Sequence, residues 1–341
     1  MLSALRGSKH LLSCIDTLNT TALDTGYSDS FICPSAQSLG DTEWPSQRKM
    51  AAVFHVAHWK TLLRNAAVSG LPKHESWLRS CAKFGSGNWL QAIPQLDVFK
   101  ADSEEYRVML ATRLLVPIDG ATVADTPRCG CGAEHDDTFP HGEHWHGVCK
   151  EVLQIINQRH DCVRDLLARA GKELRLHIEV ELRGLYADSE GRPADALFPA
   201  WNPHVSRRSQ AVDVAITNPR SETALKAGAD KCSLAAASRK ESKKLLDHSK
   251  MVALHGAGIV NFDKVPFVIE SSGAWGKFAR EFWHAMKQKA KEIKLQNYVR
   301  AHKPRTWTAF TFSSFYTQAI SFAVAKHTAQ AVIRGLQISR H

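Results

Sequence analysis

Apolar positions recur at helical spacing along several stretches of this chain and alternate along others. From Ala51 to about Ala82, Val53, Val56, Trp59 and Leu62 repeat every third residue. Leu71-Pro72 interrupts that pattern, because proline lacks the amide a helix interior needs. FGSGNWLQAIP (84–94) reads as a Gly/Ser turn leading into a short apolar segment. Ser103 to Leu115 is predicted helical, with Ser103 as cap, Glu104 and Glu105 at the positive end, and Tyr106, Met109 and Leu110 on one face. A second helix runs from Lys150 to Gly171 and carries Val152, Ile155, Ile156, Val163, Leu166 and Leu167. Three runs read as strands: LRLHIEVEL (174–182), QAVDVAIT (210–217) and VPFVIE (265–270). The first two alternate and contain β-branched residues. An Ala/Lys/Ser-rich helical stretch (221–252), a basic amphipathic helix (Lys277 to Lys294) and a more apolar helix (313–335) complete the series. This order predicts an α/β or α+β fold with helices flanking a small sheet. Four segments follow: a loose lead-in over 1–50, a helical region over 51–126, a Cys/His-dense segment over 127–150 and a mixed domain over 151–341.

Composition narrows the class. The chain is 44% hydrophobic and 23% charged, which excludes wholesale disorder. Lys plus Arg outnumber Asp plus Glu by 44 to 34, for a net charge of +10, and such a surface attracts phosphate backbones. No stretch reaches the roughly 20 apolar residues of a membrane span. Of eight Cys, only Cys129, Cys131 and Cys149 lie close together. A disulfide scaffold would be denser, so reduced thiols and an intracellular setting, nucleus or cytoplasm, are expected. The start, MLSALRGSKHLLSC, resembles a weak transit peptide, but Asp16 and Asp24 follow soon after. It is expected to be an ordinary end or a junction with further upstream sequence.

The segment PRCGCGAEHDDTFPHGEHWHGVCK offers Cys129, Cys131, His135, His141, His144, His146 and Cys149. Zinc takes four N or S ligands in a tetrahedron. Cys129 and Cys131 make a tight pair with Gly130 and Gly132 permitting the bend, and Cys149 plus one His complete the set. His144 is the first choice for the fourth ligand and His146 the second. Four protein ligands leave no open position, so the zinc is expected to be structural.

The run GSGNWLQAIP, then Tyr106-Arg107, Arg113-Leu114-Leu115, CGCG…GEHWHGVC and Arg159-His160, resembles the region downstream of the polymerase in non-LTR retroelements. GRPADALFPAW, AVDVAIT, the Ala/Lys-rich helix and PFVIESSGAWG extend the resemblance over roughly residues 80–335. It implies a zinc knot followed by a restriction-endonuclease-like (PD-(D/E)xK) core with a small mixed sheet, and a part in nicking DNA to prime reverse transcription. DNA is the implied partner, with element RNA as a further one. Two features depart from the family. Its usual spacing of three between the zinc His and the last Cys is absent, which leaves His144 and His146 both open. The polymerase's acidic motif is absent as well.

Phosphodiester hydrolysis needs metal ions that stabilise charge and activate water, and Mg²⁺ or Mn²⁺ takes carboxylate oxygens. Asp195, in RPAD, precedes an apolar run. Asp213 lies in a predicted strand whose neighbours Val212 and Val214 face the other side. A connection through WNPHVSRRSQ would let two adjacent strands bring both acids to one edge as magnesium ligands, and Glu181 is the third candidate. The restriction pattern's Lys position, two residues after the second acid, is Ala215 here. The resemblance moves that Lys to the following helix, where Lys243 and Lys244 are the leading catalytic candidates and Lys240 and Lys250 the lesser ones. Glu270 matches a family position with a supporting or structural role.

Lys287, Lys289, Lys291, Lys294, Arg300, Lys303 and Arg305 form a basic run expected to contact nucleic acid, with Trp275, Trp283 and Trp307 interleaved as potential base-stacking rings. Two other readings stand beside the nuclease: a catalytically dead nucleic-acid-binding remnant, and a zinc-stabilised protein-interaction module.

Overall fold

The computed structural model describes residues 59–92, 96–116, 149–181, 194–199, 208–255, 262–295 and 309–339, with positions 118, 129, 131 and 145. The chain divides after Leu71, at the proline that breaks the first helical pattern. In the unit before that point, residues 59–68 are helical. Everything from Pro72 onward belongs to a second unit, so the later helical region, the Cys/His segment and the mixed domain share one compact body.

That body holds seven α-helices among the described residues: α1 (Pro72–Cys81), α2 (Ser103–Leu114), α3 (Leu153–Glu173), α4 (Glu222–Lys226), α5 (Ala235–His255), α6 (Lys277–Glu292) and α7 (Phe312–Ser339). Four strands, β1 (Glu179–Val180), β2 (Ala196–Phe198), β3 (Ser209–Thr217) and β4 (Phe262–Glu270), form one sheet in the order β1-β2-β3-β4. The first three strands pair antiparallel, and β3 pairs β4 in parallel, which requires the crossover that α4 and α5 provide. The result is a mixed α/β fold with a small four-stranded mixed sheet flanked by helices. Among the described residues, no helix is long and apolar enough to cross a membrane.

The two faces of β3 are chemically distinct because successive side chains alternate. Val212 and Val214 join the main core with Phe198, Phe267, Phe282 and, from α3, Val163 and Leu167. Ala211 and Ala215 pack in smaller clusters against α5, beside Met251 and Ala237 respectively. Asp213 belongs to this second face by alternation.

Helix α2 begins one residue earlier than the predicted cap implies. Asp102 is the cap, accepting the Glu105 amide at 2.7 Å, while Glu105 accepts the Asp102 amide at 2.9 Å. This reciprocal capping box satisfies two otherwise orphaned amides, a stabilisation of about 1 kcal/mol. Ser103 is the first helical residue instead.

The GSGNW and SSGAWG segments, far apart in sequence, meet in space. The Trp275 amide donates to the Phe84 carbonyl at 3.1 Å, and the two rings pack edge to face at 5.3 Å. A Cβ on Gly85 would lie 2.4 Å from the Trp275 ring, and Gly85 also has φ +93°. Both facts demand glycine there. Trp275 and Trp283 are fully enclosed, with Trp283 stacked on Phe312 at 5.7 Å. They are core residues and are closed to nucleic-acid bases, contrary to their expected stacking role. Trp307 lies outside the described residues.

Candidate functional site

Two ligand-rich places occupy this body. In the first, the Sγ atoms of Cys129, Cys131 and Cys149 all lie within 4.8 Å of one another, and Cys129 and Cys149 are buried with their sulfurs 3.7 Å apart. The Trp145 indole N–H donates to Cys129 Sγ at 3.2 Å. Burial opposes a Cys129 thiolate, but hydrogen bonds from the Cys131 backbone, Trp145 and the neighbouring thiols outweigh it and draw the thiol below its ordinary value. Burial pushes Cys149 up to about 12. Soft sulfur ligands held this closely form a cluster that could bind a metal such as zinc. His144 and His146, the two candidates for a fourth ligand, fall outside the described residues, as do His135 and His141. Trp145 is wholly buried and packs closely against α7, where a Cβ on Gly335 would come within 2.3 Å of its ring. The cluster is thereby seated on the main body through one indole.

The second place lies at β1–β3. Ala196 pairs with Val212, and the Asp195 amide donates to the Val212 carbonyl at 2.9 Å. Asp195, one residue before this pair, and Asp213, one residue after it, are thereby neighbours at the start of β2. The Asp195 carboxylate accepts the Val214 amide at 2.7 Å, next door to Asp213. On the other side, Val180 pairs with Ala196, and the Glu181 amide donates to the Asp195 carbonyl at 2.9 Å. Glu181, Asp195 and Asp213 therefore stand in one cross-strand row.

The side chains in that row have different partners. Asp213 is gripped by two ammonium groups: Lys244 of α5 bonds Oδ1, and Lys264 of β4 lies 2.7 Å from Oδ2. The Lys264 side chain is only 6% exposed, and that burial draws its ammonium below the usual lysine range despite Asp213. Asp195 Oδ2 lies 3.2 Å from His160 Nε2 of α3. Burial pushes the Asp195 carboxyl up, but the His160 hydrogen bond and charge, the Val214 amide and Lys244 prevail and hold it below the usual carboxylate range. In turn the hydrogen bond to Asp195 raises His160. Glu181 takes a left-handed backbone (φ +57°) and turns its carboxylate to Arg164, which also binds Asp161 at 3.1 Å and Asp165 at 2.8 Å. Glu181, Asp195 and Asp213 do not converge as a three-ligand group with all ligand atoms within 4.8 Å.

The remaining predicted residues disperse. Lys240 feels Asp213 electrostatically, though burial and the charges of Lys244 and Lys243 draw its ammonium down. Lys243 is exposed one residue from Lys244. Glu270 pairs with Thr217 at the far end of β3, away from Asp213. It is buried, bonds the Ser80 hydroxyl and accepts the Ala237 amide at 3.2 Å, so it ties α1 and α5 to β4. Burial raises its carboxyl. Lys287, Lys291 and Lys294 are partly or fully exposed on and just after α6. Arg300, Lys303 and Arg305 lie outside the described residues.

Three participants have no assigned role in the sequence reading: His160, Arg164 and Lys264. His160 stands in the resembling Arg159-His160 pair, and Lys264 directly precedes the apolar run of β4. A charged residue flush against a buried strand was the available signal. Comparison with protein-family models finds no match for this chain, and comparison with curated proteins finds no relative.

Proposed function

We propose that this chain is the metal-dependent DNA endonuclease part of a retroelement protein, a restriction-endonuclease-like core stapled by a structural zinc. The observation that carries this reading is the neighbouring placement of Asp195 and Asp213 across β2 and β3, with two ammonium groups at Asp213. The oxygen donors suit a hard divalent cation, and Asp195 and Asp213 would hold Mg²⁺ or Mn²⁺. Such an ion supplies charge stabilisation at phosphorus and a more acidic water. His160 and the Val214 amide keep Asp195 ionised and fixed in direction. Lys244, and Lys264 beside it, place positive charge where a scissile phosphate would develop negative charge. Cys129, Cys131 and Cys149, with His144 or His146, would hold the zinc. The basic face of α6 would contact DNA backbone, and nicking would expose a 3′ hydroxyl for priming on element RNA in the nucleus or cytoplasm.

The test is nicking of supercoiled plasmid with Mg²⁺ or Mn²⁺. Wild-type protein is expected to convert it to open circles, and Asp195→Ala and Asp213→Ala each to lose at least a hundredfold in rate, about 3 kcal/mol of barrier. A wild-type protein that never nicks in either metal refutes the nuclease. One observation favours a second reading, a DNA-binding remnant: protein cations already neutralise both acids, and Glu181 points to Arg164. That reading predicts salt-sensitive DNA binding without cleavage.

A further inference from the structure

The far side of α5 borders a second basic feature, separate from the acidic row. A cleft of about 720 Å³ opens between the first turns of α5 and α6. Its lining includes Ser233, Ser238, Arg239, Ser242, Lys277 and Arg280. Arg239, Lys277 and Arg280 are all exposed, so their charges reach solvent. Two of them are only loosely engaged: Lys277 stands 3.9 Å from Glu281, and Arg280 Nε bonds the Gly276 carbonyl at 3.4 Å. The acidic residue in the wall is Glu241, which is buried and accepts the Phe278 amide at 3.1 Å. Burial pushes its carboxyl up to about 7, against the opposing pull of that amide, Arg280 and Lys277, so it carries only part of a charge near neutrality. The cleft therefore holds three cations, three hydroxyls and at most a fraction of one anion. Guanidinium forks and hydroxyl donors match the oxygens of a tetrahedral oxyanion.

We propose that this cleft binds the backbone phosphate of a nucleic-acid strand. The assignment deepens the nucleic-acid reading above and rests on it. Helix α5 links the two places, because Lys240 and Lys244 look to Asp213 while Ser238, Arg239 and Ser242 look into the cleft. A strand whose phosphate sits in the cleft is thus held across the same helix that presents Lys244 to Asp213.

The experiment measures binding of a fluorescent 20-base-pair oligonucleotide to the full chain by anisotropy across a salt series, without divalent metal. Arg239→Gln, Lys277→Gln and Arg280→Gln are combined, and thermal unfolding checks that the variant folds. We expect affinity to fall about tenfold and the slope of log affinity against log salt to shrink by about one to two. A folded triple variant with wild-type affinity and slope overturns the proposal. Sulfate separates the sources of the anion. If sulfate stabilises wild type but not the variant while oligonucleotide affinity is equal, the cleft is a free-anion site and the nucleic-acid assignment fails. Plasmid nicking is read separately. Loss of binding without any wild-type nicking leaves the cleft standing and removes the nuclease; intact binding in the variant beside wild-type nicking does the reverse.

Discussion

The cysteine cluster and the acidic row both crowd ligands of one kind into a small space, and they resolve the resulting repulsion in opposite ways. Around Cys129 and Cys149, no Lys or Arg is among the described groups that shift the thiols, and burial holds Cys149 protonated to high pH. Around Asp195 and Asp213, the protein supplies its own cations in His160, Lys244 and Lys264. The thiols thus need an external ion before they can be charged together, whereas Asp195 is held below the usual carboxylate range by the protein's own groups. The difference locates the consequence of ion loss. A metal bound by the three thiols would be lost together with structure, because such binding is coupled to folding. A divalent ion held by the proposed acidic row would be lost with the fold retained, because the row already has protein cations.

The largest effect that could break this contrast is therefore metal removal. A zinc chelator, or Cys149→Ala, is expected to destabilise the body from Pro72 onward by several kcal/mol, on the order of 5, less than the full binding energy of an isolated zinc peptide. Zinc release monitored by a colorimetric chelator should coincide with a drop in unfolding temperature and exposure of Trp145. Gly335→Val should mimic part of this loss without touching a ligand, because its side chain would occupy the space of the indole. A chelator that removes zinc and leaves the melting curve unmoved would make the two regions alike.

A smaller effect is expected at the row. Asp213→Asn removes the carboxylate that lies between Lys244 and Lys264 and leaves two ammonium groups facing each other. Lys264 is almost enclosed, so the cost is real, yet Asp213 and Lys244 retain some solvent. The expected destabilisation is about 2 kcal/mol, short of that for a fully buried pair. Lys264→Met added to Asp213→Asn should recover most of it, and a denaturant-based double-mutant cycle measures the coupling. Strict additivity would mean that the protein's cations do not hold this row together.

Both regions were partly legible in the sequence, to different depths. The cysteine triad was readable because ligand type and local spacing alone suggest it. The acidic row needed tertiary register, and there the reading thinned. Alternation in LRLHIEVEL marks a face along nine residues, yet among the described residues only Glu179 and Val180 form the strand. Arg175 and Glu181 adopt left-handed backbones at either side, and the partner strand β2 is only three residues long. Too short to show a period, β2 carried no strand signal of its own, although it carries the register that makes Asp195 a neighbour of Asp213. Lys264 carries no strand signal in the sequence because the apolar run starts at Val265, whereas parallel pairing already begins at Phe262. Glu270 drew attention by its motif, but its register partner, Thr217, places it beyond the row.

The finest test concerns protons at the row. His160 is raised above its ordinary 6.5 by Asp195, so its contribution is complete below that value and fades as pH rises through the folded value. Asp195 is held below its ordinary 3.8, so its contribution is present above that value and disappears as pH falls through the folded one. The pair is therefore fully charged, and most stabilising, between about pH 4 and 6.5. Replacing His160 by Gln keeps a hydrogen-bonding side chain but removes the titration. Denaturant unfolding from pH 5 to pH 8.5 should show wild type more stable than His160→Gln at the acid end, by under about 1 kcal/mol because both groups are partly exposed. The advantage should shrink steadily above pH 6.5. Parallel stability curves would mean that the histidine is not charged against Asp195. The Val214 amide and Lys244 would then be the groups that hold the Asp195 carboxyl down in its buried setting.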